Sequence, residues 1–136
     1  MIAVDSSVLV DVLTGDDVYG EASSQALALA LQQGEVVLCD AVVAEVQTLL
    51  DTRETVMDSL KEFGLRFDPL LEAAAVRAGH MQRRYRDRGG ARRRVVADFL
   101  IGAHALLQCD ALITRDDGFF RDYFKGLRLI VPTAEH

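Results

Sequence analysis

Two aspartates stand just beyond short apolar segments that have the composition of buried strands. Asp5 directly follows the segment 2–4 (IAV), and Asp116 lies one residue beyond the segment 111–114 (ALIT). In an open parallel sheet, ligands bind outside the carboxyl ends of the strands, where loops and helix N-termini meet. We therefore expect both carboxylates to lie at the same edge of a sheet.

Glu45 lies in a segment with helical periodicity. The residues from Asp40 to Leu50 predict a helix capped by Asp40, with an apolar stripe on one face. This stripe consists of Val42, Val43, Val46, Leu49 and Leu50. At 100° per residue, Glu45 falls on the flank of the stripe, where it either faces the site or is simply solvated.

Asp98 is the one formally charged side chain in the apolar segment 95–107 (VVADFLIGAHALL). An ionised carboxylate in a largely buried helix costs several kcal/mol unless it is paired, hydrogen-bonded or bound to a metal. Small residues on its side of the helix, Gly102 and Ala105, predict room for a ligand. The alternative is a salt bridge to an arginine, or stabilisation by the dipole of the helix N-terminus.

Several carboxylates at one edge repel one another unless a cation is present. Mg²⁺ and Mn²⁺ prefer oxygen ligands and are commonly held by few carboxylates. The histidines, His80, His104 and His136, lack the spacing of a zinc site, so ordinary structural roles are expected for them. Cys39 and Cys109 match neither a disulfide framework nor a CxxC motif, which indicates reduced thiols.

Short apolar segments alternate with longer helical patterns along the chain. The strands are predicted at 2–4, 36–39, 112–114 and 127–131. This alternation predicts a three-layer α/β/α sandwich around a mainly parallel sheet, and 136 residues suit a single domain over residues 1–136. No signal peptide or membrane-spanning segment is recognisable, which predicts a cytoplasmic protein without membrane contact.

Positive charge is concentrated in one segment of an acidic chain. The net charge is −6, yet seven of the fifteen basic residues fall between positions 83 and 94. This segment is either a solvated helix end or a rim that contacts phosphates beside the acidic site. Tyr85 could stack on a base or pack on the fold. The candidate RNA-binding residues are Arg86, Arg88, Arg92, Arg93 and Arg94.

Taken together, four motifs resemble the PIN domain family, and in particular VapC-type toxins. They are DSS at 5–7, AVVAEVQTLL around Glu45, ADFLIGAHA around Asp98, and LITRDDGFF around Asp116. The resemblance implies that Asp5, Glu45, Asp98 and Asp116 are catalytic and hold Mg²⁺ or Mn²⁺. It also implies that the hydroxyls of Ser7 and Thr114 support the site. Asp117 is the alternative fourth acid.

The implied activity is metal-dependent endonucleolytic hydrolysis of RNA, as the toxin of a toxin–antitoxin pair. A homodimer and a VapB-like antitoxin are the implied partners, with Val42, Val46, Leu49 and Leu50 either buried or left for that partner. The alternative within the family is a non-toxin or catalytically weak RNA-binding or processing protein. A haloacid-type phosphatase would need an acid at Ser7, and a receiver domain would need a lysine after a late strand.

Overall fold

The computed structural model describes residues 1–50, 53, 55–90 and 94–133. Within these ranges there are five strands: β1 (Ile2–Val4), β2 (Val36–Leu38), β3 (Arg66–Phe67), β4 (Ala111–Ile113) and β5 (Arg128–Ile130). The helices of the described residues are α1 (Ser6–Thr14), α2 (Gly20–Gln33), α3 (Asp40–Leu49), α4 (Val56–Glu62), α5 (Glu72–Asp87), α6 (Val96–Gln108) and α7 (Asp117–Tyr123).

All neighbouring strands of the sheet run parallel, in the order β3-β2-β1-β4-β5. On the central strand, Ala3 pairs with Val37 on one side and with Leu112 on the other. These strands are buried on both faces, which explains their continuous apolar sequences. The predicted parallel sheet is confirmed, and β3 is an additional strand that the sequence pattern did not predict.

The order of the strands reverses between β1 and β4. Because crossovers between parallel strands are right-handed, the connections β1 to β3 and β3 to β5 place their helices on opposite faces of the sheet. The crevice for a ligand in such a sheet opens at this reversal, beyond the carboxyl ends of the two strands. Residues that directly follow β1 and β4 therefore lie at its floor.

Helix α6 packs over the sheet through a nearly continuous buried surface that includes Phe99, Ile101 and His104. A Cβ atom on Gly102 would come within 2.3 Å of the ring of Phe124. The small residue at this position therefore makes room for an aromatic side chain of the core. This corrects the expectation that Gly102 leaves space for a ligand.

Helix α3 begins at Asp40 itself, and Cys39 is the residue that precedes its first turn. Asp40 is therefore not the cap that the sequence suggested, since its Oδ1 accepts a hydrogen bond from the Leu70 backbone N–H at 2.6 Å. On the apolar stripe, Val42 and Val46 are buried, whereas Leu49 is 64% exposed. Within the described ranges, no helix is long and apolar enough to cross a membrane.

Candidate active site

Four acidic side chains approach the crevice between β1 and β4 from four different elements. Asp5 follows β1 and Asp116 precedes α7, whereas Glu45 comes from α3 and Asp98 from the first turn of α6. Three of these carboxylates add to the raised pKa of another: Asp116 acts on Asp5 and Asp98, and Asp5 and Asp98 act on Glu45. The structure thus brings together the four acids that the motifs singled out.

Asp5 is held by hydroxyl groups at the bottom of the crevice. Its Oδ2 accepts hydrogen bonds from Thr114 Oγ1 at 2.7 Å and from Ser7 Oγ at 3.2 Å. Burial raises the pKa of Asp5, and the repulsion from Asp116 adds to that rise, although the hydrogen bonds lower it. The two hydroxyls thus hold this carboxylate in one orientation.

Glu45 is connected to Asp5 through Ser6, a residue for which the sequence predicts no role in the site. Ser6 Oγ lies 3.0 Å from Glu45 Oε1 and 3.4 Å from Asp5 Oδ1. Burial raises the pKa of Glu45, and the hydrogen bond from Ser6 opposes this effect. Glu45 therefore turns toward the acidic cluster and is not a solvated side chain of the helix flank.

Asp98 lies at the N-terminus of α6, where its Oδ2 accepts a hydrogen bond from the Val95 backbone N–H at 3.1 Å. Burial raises the pKa of Asp98, and that hydrogen bond and the charge of Arg94 lower it. The side chain is 23% exposed, so it is accessible from the crevice. Both alternatives considered for this residue, the helix terminus and the arginine, thus contribute to its stabilisation.

Arg94 lies inside the acidic cluster. Its guanidinium group donates to both oxygens of Asp116, with 3.2 Å between Nη2 and Oδ1. Its Nη1 is 4.0 Å from Asp98 Oδ1, and its guanidinium carbon lies 4.3 Å from the centre of the Phe119 ring. An arginine expected on the rim thus forms ion pairs with the acids themselves.

The adjacent aspartates of the segment 114–117 (TRDD), Asp116 and Asp117, have different partners. The Asp116 backbone N–H donates to Thr114 Oγ1 at 3.0 Å, so Asp116 shares a hydroxyl with Asp5. Asp117 forms an exposed ion pair with Arg121 at 3.0 Å, one turn further along α7. The geometry favours Asp116 as the fourth acid.

An ion pair to a buried carboxylate beside the site was not foreseen from the sequence. Arg115 donates to both oxygens of Asp11 in α1, at 2.6 and 3.0 Å, and Ser23 donates to Asp11 at 2.8 Å. This ion pair holds Arg115, and with it the segment from Thr114 to Asp116, against α1. Its one sequence signal is Asp11 itself, an acid within the apolar segment 8–13.

The arginine-rich segment is divided between two grooves. Arg86 and Arg94 line a groove of about 730 Å³ between the end of α5 and the start of α6. Arg88 instead lines a second groove of about 330 Å³, together with Arg84 and Lys125. Arg92 and Arg93 lie outside the described residues.

Tyr85 packs on the fold. Its ring centre lies 5.6 Å from that of Phe99 and 5.4 Å from that of Tyr123, within the aromatic core beneath α7. Its hydrophobic contacts therefore match the second of the two roles considered for it.

The donor atoms of the acidic cluster suit a hard divalent cation. Carboxylate oxygens are what Mg²⁺ and Mn²⁺ prefer. A cation would also relieve the mutual repulsion that adds to the effect of burial on the pKa values of Asp5, Glu45 and Asp98. Asp5, Glu45, Asp98 and Asp116 would hold it.

A second group has its donor atoms within 4.8 Å of one another: Asp68, His104 and Cys109. Here Asp68 Oδ2 already accepts hydrogen bonds from His104 Nε2 at 2.8 Å and from Gln108 Nε2 at 3.1 Å. Burial raises the pKa of the Cys109 thiol to about 12, which disfavours the thiolate that a metal requires. We interpret this group as an anchor of the loop after β3.

The family model of the PIN domain matches residues 2–125 of the chain. The chain therefore belongs to the PIN domain family, and the resemblance inferred from its motifs is confirmed. A comparison with curated protein sequences gives no match.

Solved structures share the fold over nearly their whole length. VapBC2 from Rickettsia felis, bound to a promoter DNA fragment, is 19% identical with a TM-score of 0.73, covering 96% of this chain and 98% of that one. FitAcB from Neisseria gonorrhoeae is 24% identical with a TM-score of 0.66, covering 97% and 98%. The sarcin–ricin loop cleaving toxin VapC20 from Mycobacterium tuberculosis is 18% identical with a TM-score of 0.67, covering 94% and 99%.

Proposed function

We propose that the chain is an Mg²⁺- or Mn²⁺-dependent endoribonuclease and the toxin of a toxin–antitoxin pair. The observation that carries the proposal is the convergence of Asp5, Glu45, Asp98 and Asp116 at the crevice between β1 and β4. Family membership supports it, because the same fold is found in VapC20 from Mycobacterium tuberculosis, a sarcin–ricin loop cleaving toxin.

A bound divalent cation would supply an activated water nucleophile and stabilise the negative charge that develops on the scissile phosphate. The residues of this chain position that chemistry. Thr114 and Ser7 orient Asp5, and Ser6 orients Glu45, so two of the acids are fixed before any ligand arrives. Such fixed orientation lowers the reorganisation needed on binding. The expected products carry 5′-phosphate and 3′-hydroxyl ends.

The groove lined by Arg86 and Arg94 is the proposed path for single-stranded RNA. It adjoins the acids through Arg94, which also contacts Asp116 and Asp98. Its two arginines supply the local positive charge that an acidic protein needs to hold a polyanion. Arg92 and Arg93, which the sequence places between them, are proposed to contribute to the same contact.

Incubation of purified protein with RNA and Mn²⁺, with and without a chelator, tests the activity. We expect cleavage that requires the cation and leaves 5′-phosphate ends. Matched samples of Asp5→Asn and Asp117→Asn separate the proposed acids from a neighbouring surface carboxylate. Cleavage that persists in excess chelator would contradict the metal-dependent mechanism.

The partners proposed are a second copy of the chain and a small VapB-like antitoxin. Related folds were solved as VapBC and FitAB assemblies, and one comes from a toxin–antitoxin complex of Klebsiella pneumoniae. A stretch of antitoxin that carries an arginine would match the acidic cluster, while its carboxylates would match the arginine-lined groove. Inhibition of cleavage by the product of the adjacent gene tests this proposal.

A further inference from the structure

Arg94 places a fixed positive charge where the proposed mechanism needs a metal cation. Its forked guanidinium group engages both oxygens of Asp116 and approaches Asp98 to within 4.0 Å. The side chain is 25% exposed, and contact with the Phe119 ring holds it in this position. Of the four acids in the cluster, two are therefore already neutralised in part by the protein itself.

A divalent cation and this guanidinium group cannot both bind Asp116 in this arrangement without mutual repulsion. Paired bonds from an arginine occupy the same edge of a carboxylate that a cation approaches. Two positive charges separated by a few ångströms repel strongly in a crevice that is only partly hydrated. Binding of the cation at Asp116 thus favours movement of Arg94 away from it.

The structure offers a place for the displaced side chain. Arg94 already lines the groove of about 730 Å³ in which Arg86 also lies. Rotation of its flexible stem toward that groove would exchange a carboxylate partner for solvent or for a phosphate. A guanidinium group binds phosphate with the same forked geometry that it uses on Asp116.

We propose that Arg94 and the divalent cation compete for Asp116, and that the bound cation releases Arg94 to hold an RNA phosphate beside the site. The inference rests on the proposed nuclease function, because it takes the cation and the RNA from it. Arg94 thereby makes phosphate binding depend on prior loading of the metal. It also acts as an internal counter-ion that offsets the repulsion among the acids.

Titration calorimetry with Mn²⁺ alone tests the competition, and it requires neither RNA nor activity. We expect Arg94→Gln to bind Mn²⁺ about tenfold more tightly, as the loss of a competing charge-assisted bond predicts. Arg94→Lys keeps the charge but lacks the fork, so it should also bind more tightly than the native protein. Arg86→Gln removes an equal charge outside the cluster and should change the affinity by less than about twofold.

Two results of this titration would overturn the competition. Equal affinity of the native protein and Arg94→Gln would show that Arg94 does not oppose the cation. A gain in Arg94→Gln with none in Arg94→Lys would show that general charge repulsion, and not occupation of Asp116, sets the affinity. Circular dichroism of each variant at saturating Mn²⁺ checks that the fold is retained.

Fluorescence anisotropy of a labelled single-stranded RNA tests the release, with Ca²⁺ as the cation and intact RNA verified on a gel. At saturating Ca²⁺ we expect Arg94→Gln to bind RNA about tenfold more weakly than the native protein, and without cation we expect similar affinities. Equal loss with and without Ca²⁺ would overturn the release. If Mn²⁺ competition is observed but no RNA is ever cleaved, the nuclease proposal fails and the competition stands.

Discussion

At the scale of single residues, the acidic cluster combines groups whose charges oppose one another. Asp5 is 6% exposed, and burial raises its pKa as well as those of Glu45 and Asp98. Ionised, these groups cost the folded state free energy, which hydroxyl donors and Arg94 offset only in part. Clustering of this kind is typical of sites selected for binding or catalysis.

We expect Asp98→Asn to abolish metal-dependent RNA cleavage and to leave the fold intact. The substitution removes a proposed cation ligand, and it also removes one of the repelling charges, so the melting temperature should stay equal or rise. Cleavage assays at saturating Mg²⁺ and thermal unfolding measure the two effects.

Asp117→Asn is the matched control for that variant, because Asp117 pairs with Arg121 on the exposed side of α7. It should cleave at the native rate. If Asp98→Asn cleaves as fast as the native protein at saturating Mg²⁺, the four-acid mechanism is wrong.

Three of the acids have a local signal in the sequence, whereas Glu45 was assigned to the site by the family resemblance. Asp5 and Asp116 follow apolar strands, and Asp98 is the one charge in an apolar segment. The pairing of Arg94 with Asp116 and the contacts of Ser6 could not be predicted, because an arginine within a basic run and a serine at the start of a helix have many ordinary roles. Their contacts depend on how α6 and α3 pack, which the local sequence does not encode.

At the scale of elements, short parallel strands were recognisable wherever both faces are apolar. The strand β3 escaped prediction because its two residues, Arg66 and Phe67, are both exposed at the edge of the sheet. The prediction that Asp40 caps α3 was wrong. A short carboxylate at a helix start can cap the helix or accept a hydrogen bond from a distant part of the chain, and the sequence does not distinguish the two roles. The partner of Asp40, Leu70, lies 30 positions away in the chain.

Packing of α6 against Phe124 makes Gly102 a sensitive position. Alanine is the better helix former, yet its Cβ would lie 2.3 Å from the Phe124 ring. We expect Gly102→Ala to lower the free energy of unfolding by about 1–3 kcal/mol, the usual cost of overpacking a core. Denaturant unfolding measures the difference.

Gly79 offers a control within α5, since a Cβ there would meet no atom within 4 Å. Gly79→Ala should raise the free energy of unfolding by about 0.5–1 kcal/mol, through the lower entropy of the unfolded chain and better helix propensity. If Gly102→Ala and Gly79→Ala both raised the free energy of unfolding, the Phe124 ring would have to move away from position 102 at little cost.

The ion pair between Arg115 and Asp11 links α1 to the segment after β4. Asp11 is 2% exposed, so removal of its partner leaves a buried charge. We expect Arg115→Ala to lower the free energy of unfolding by about 3 kcal/mol, near the lower end for broken buried pairs because Arg115 itself is partly exposed. Arg121→Ala, which breaks the exposed pair with Asp117, should cost less than about 1 kcal/mol. Similar losses in both variants would contradict the buried-charge explanation.

At the scale of the whole molecule, the raised carboxyl pKa values couple stability to pH and to the cation. A carboxyl group whose pKa is raised on folding contributes stability below its ordinary pKa of about 4, and this contribution is lost as the pH rises through the raised value. A cation restores what the ionised groups lose. We therefore expect the rise in melting temperature caused by Mn²⁺ to grow as the pH increases through this window.

Thermal unfolding between mildly acidic and mildly alkaline pH, with and without Mn²⁺, measures that dependence. The quantity compared is the difference in melting temperature caused by Mn²⁺ at each pH, so the contributions of other titrating groups cancel. Asp98→Asn should flatten the dependence, because one of the coupled carboxyl groups is then absent. A rise in melting temperature with Mn²⁺ that is the same at every pH in the native protein would contradict binding of the cation at these acids.

Exposed apolar residues decide where a protein partner can dock. On the stripe of α3, Val42 and Val46 are buried and Leu49 is exposed. An apolar groove of about 250 Å³ lies among α1, α2 and α4, and it is lined by Leu9, Val12, Leu13, Leu27, Leu31, Leu60, Phe63 and Leu65. Phe63 at its margin is 67% exposed, so the groove continues into an exposed aromatic side chain that a partner could cover.

We expect Phe63→Glu to weaken the complex with the antitoxin-like product of the adjacent gene and to leave cleavage by the free enzyme unchanged. A charge at this position would be desolvated against an apolar partner, and it lies on the α4 side of the groove, away from the acids. Val76→Glu on α5, where the native side chain is 52% exposed, is the control for an added surface charge and should keep the complex. Co-expression, size-exclusion chromatography and a cleavage assay measure binding and inhibition.

A complex that survives Phe63→Glu would place the partner on another surface. A native protein that remains a monomer unaffected by that gene product would refute the toxin assignment and leave the nuclease proposal standing.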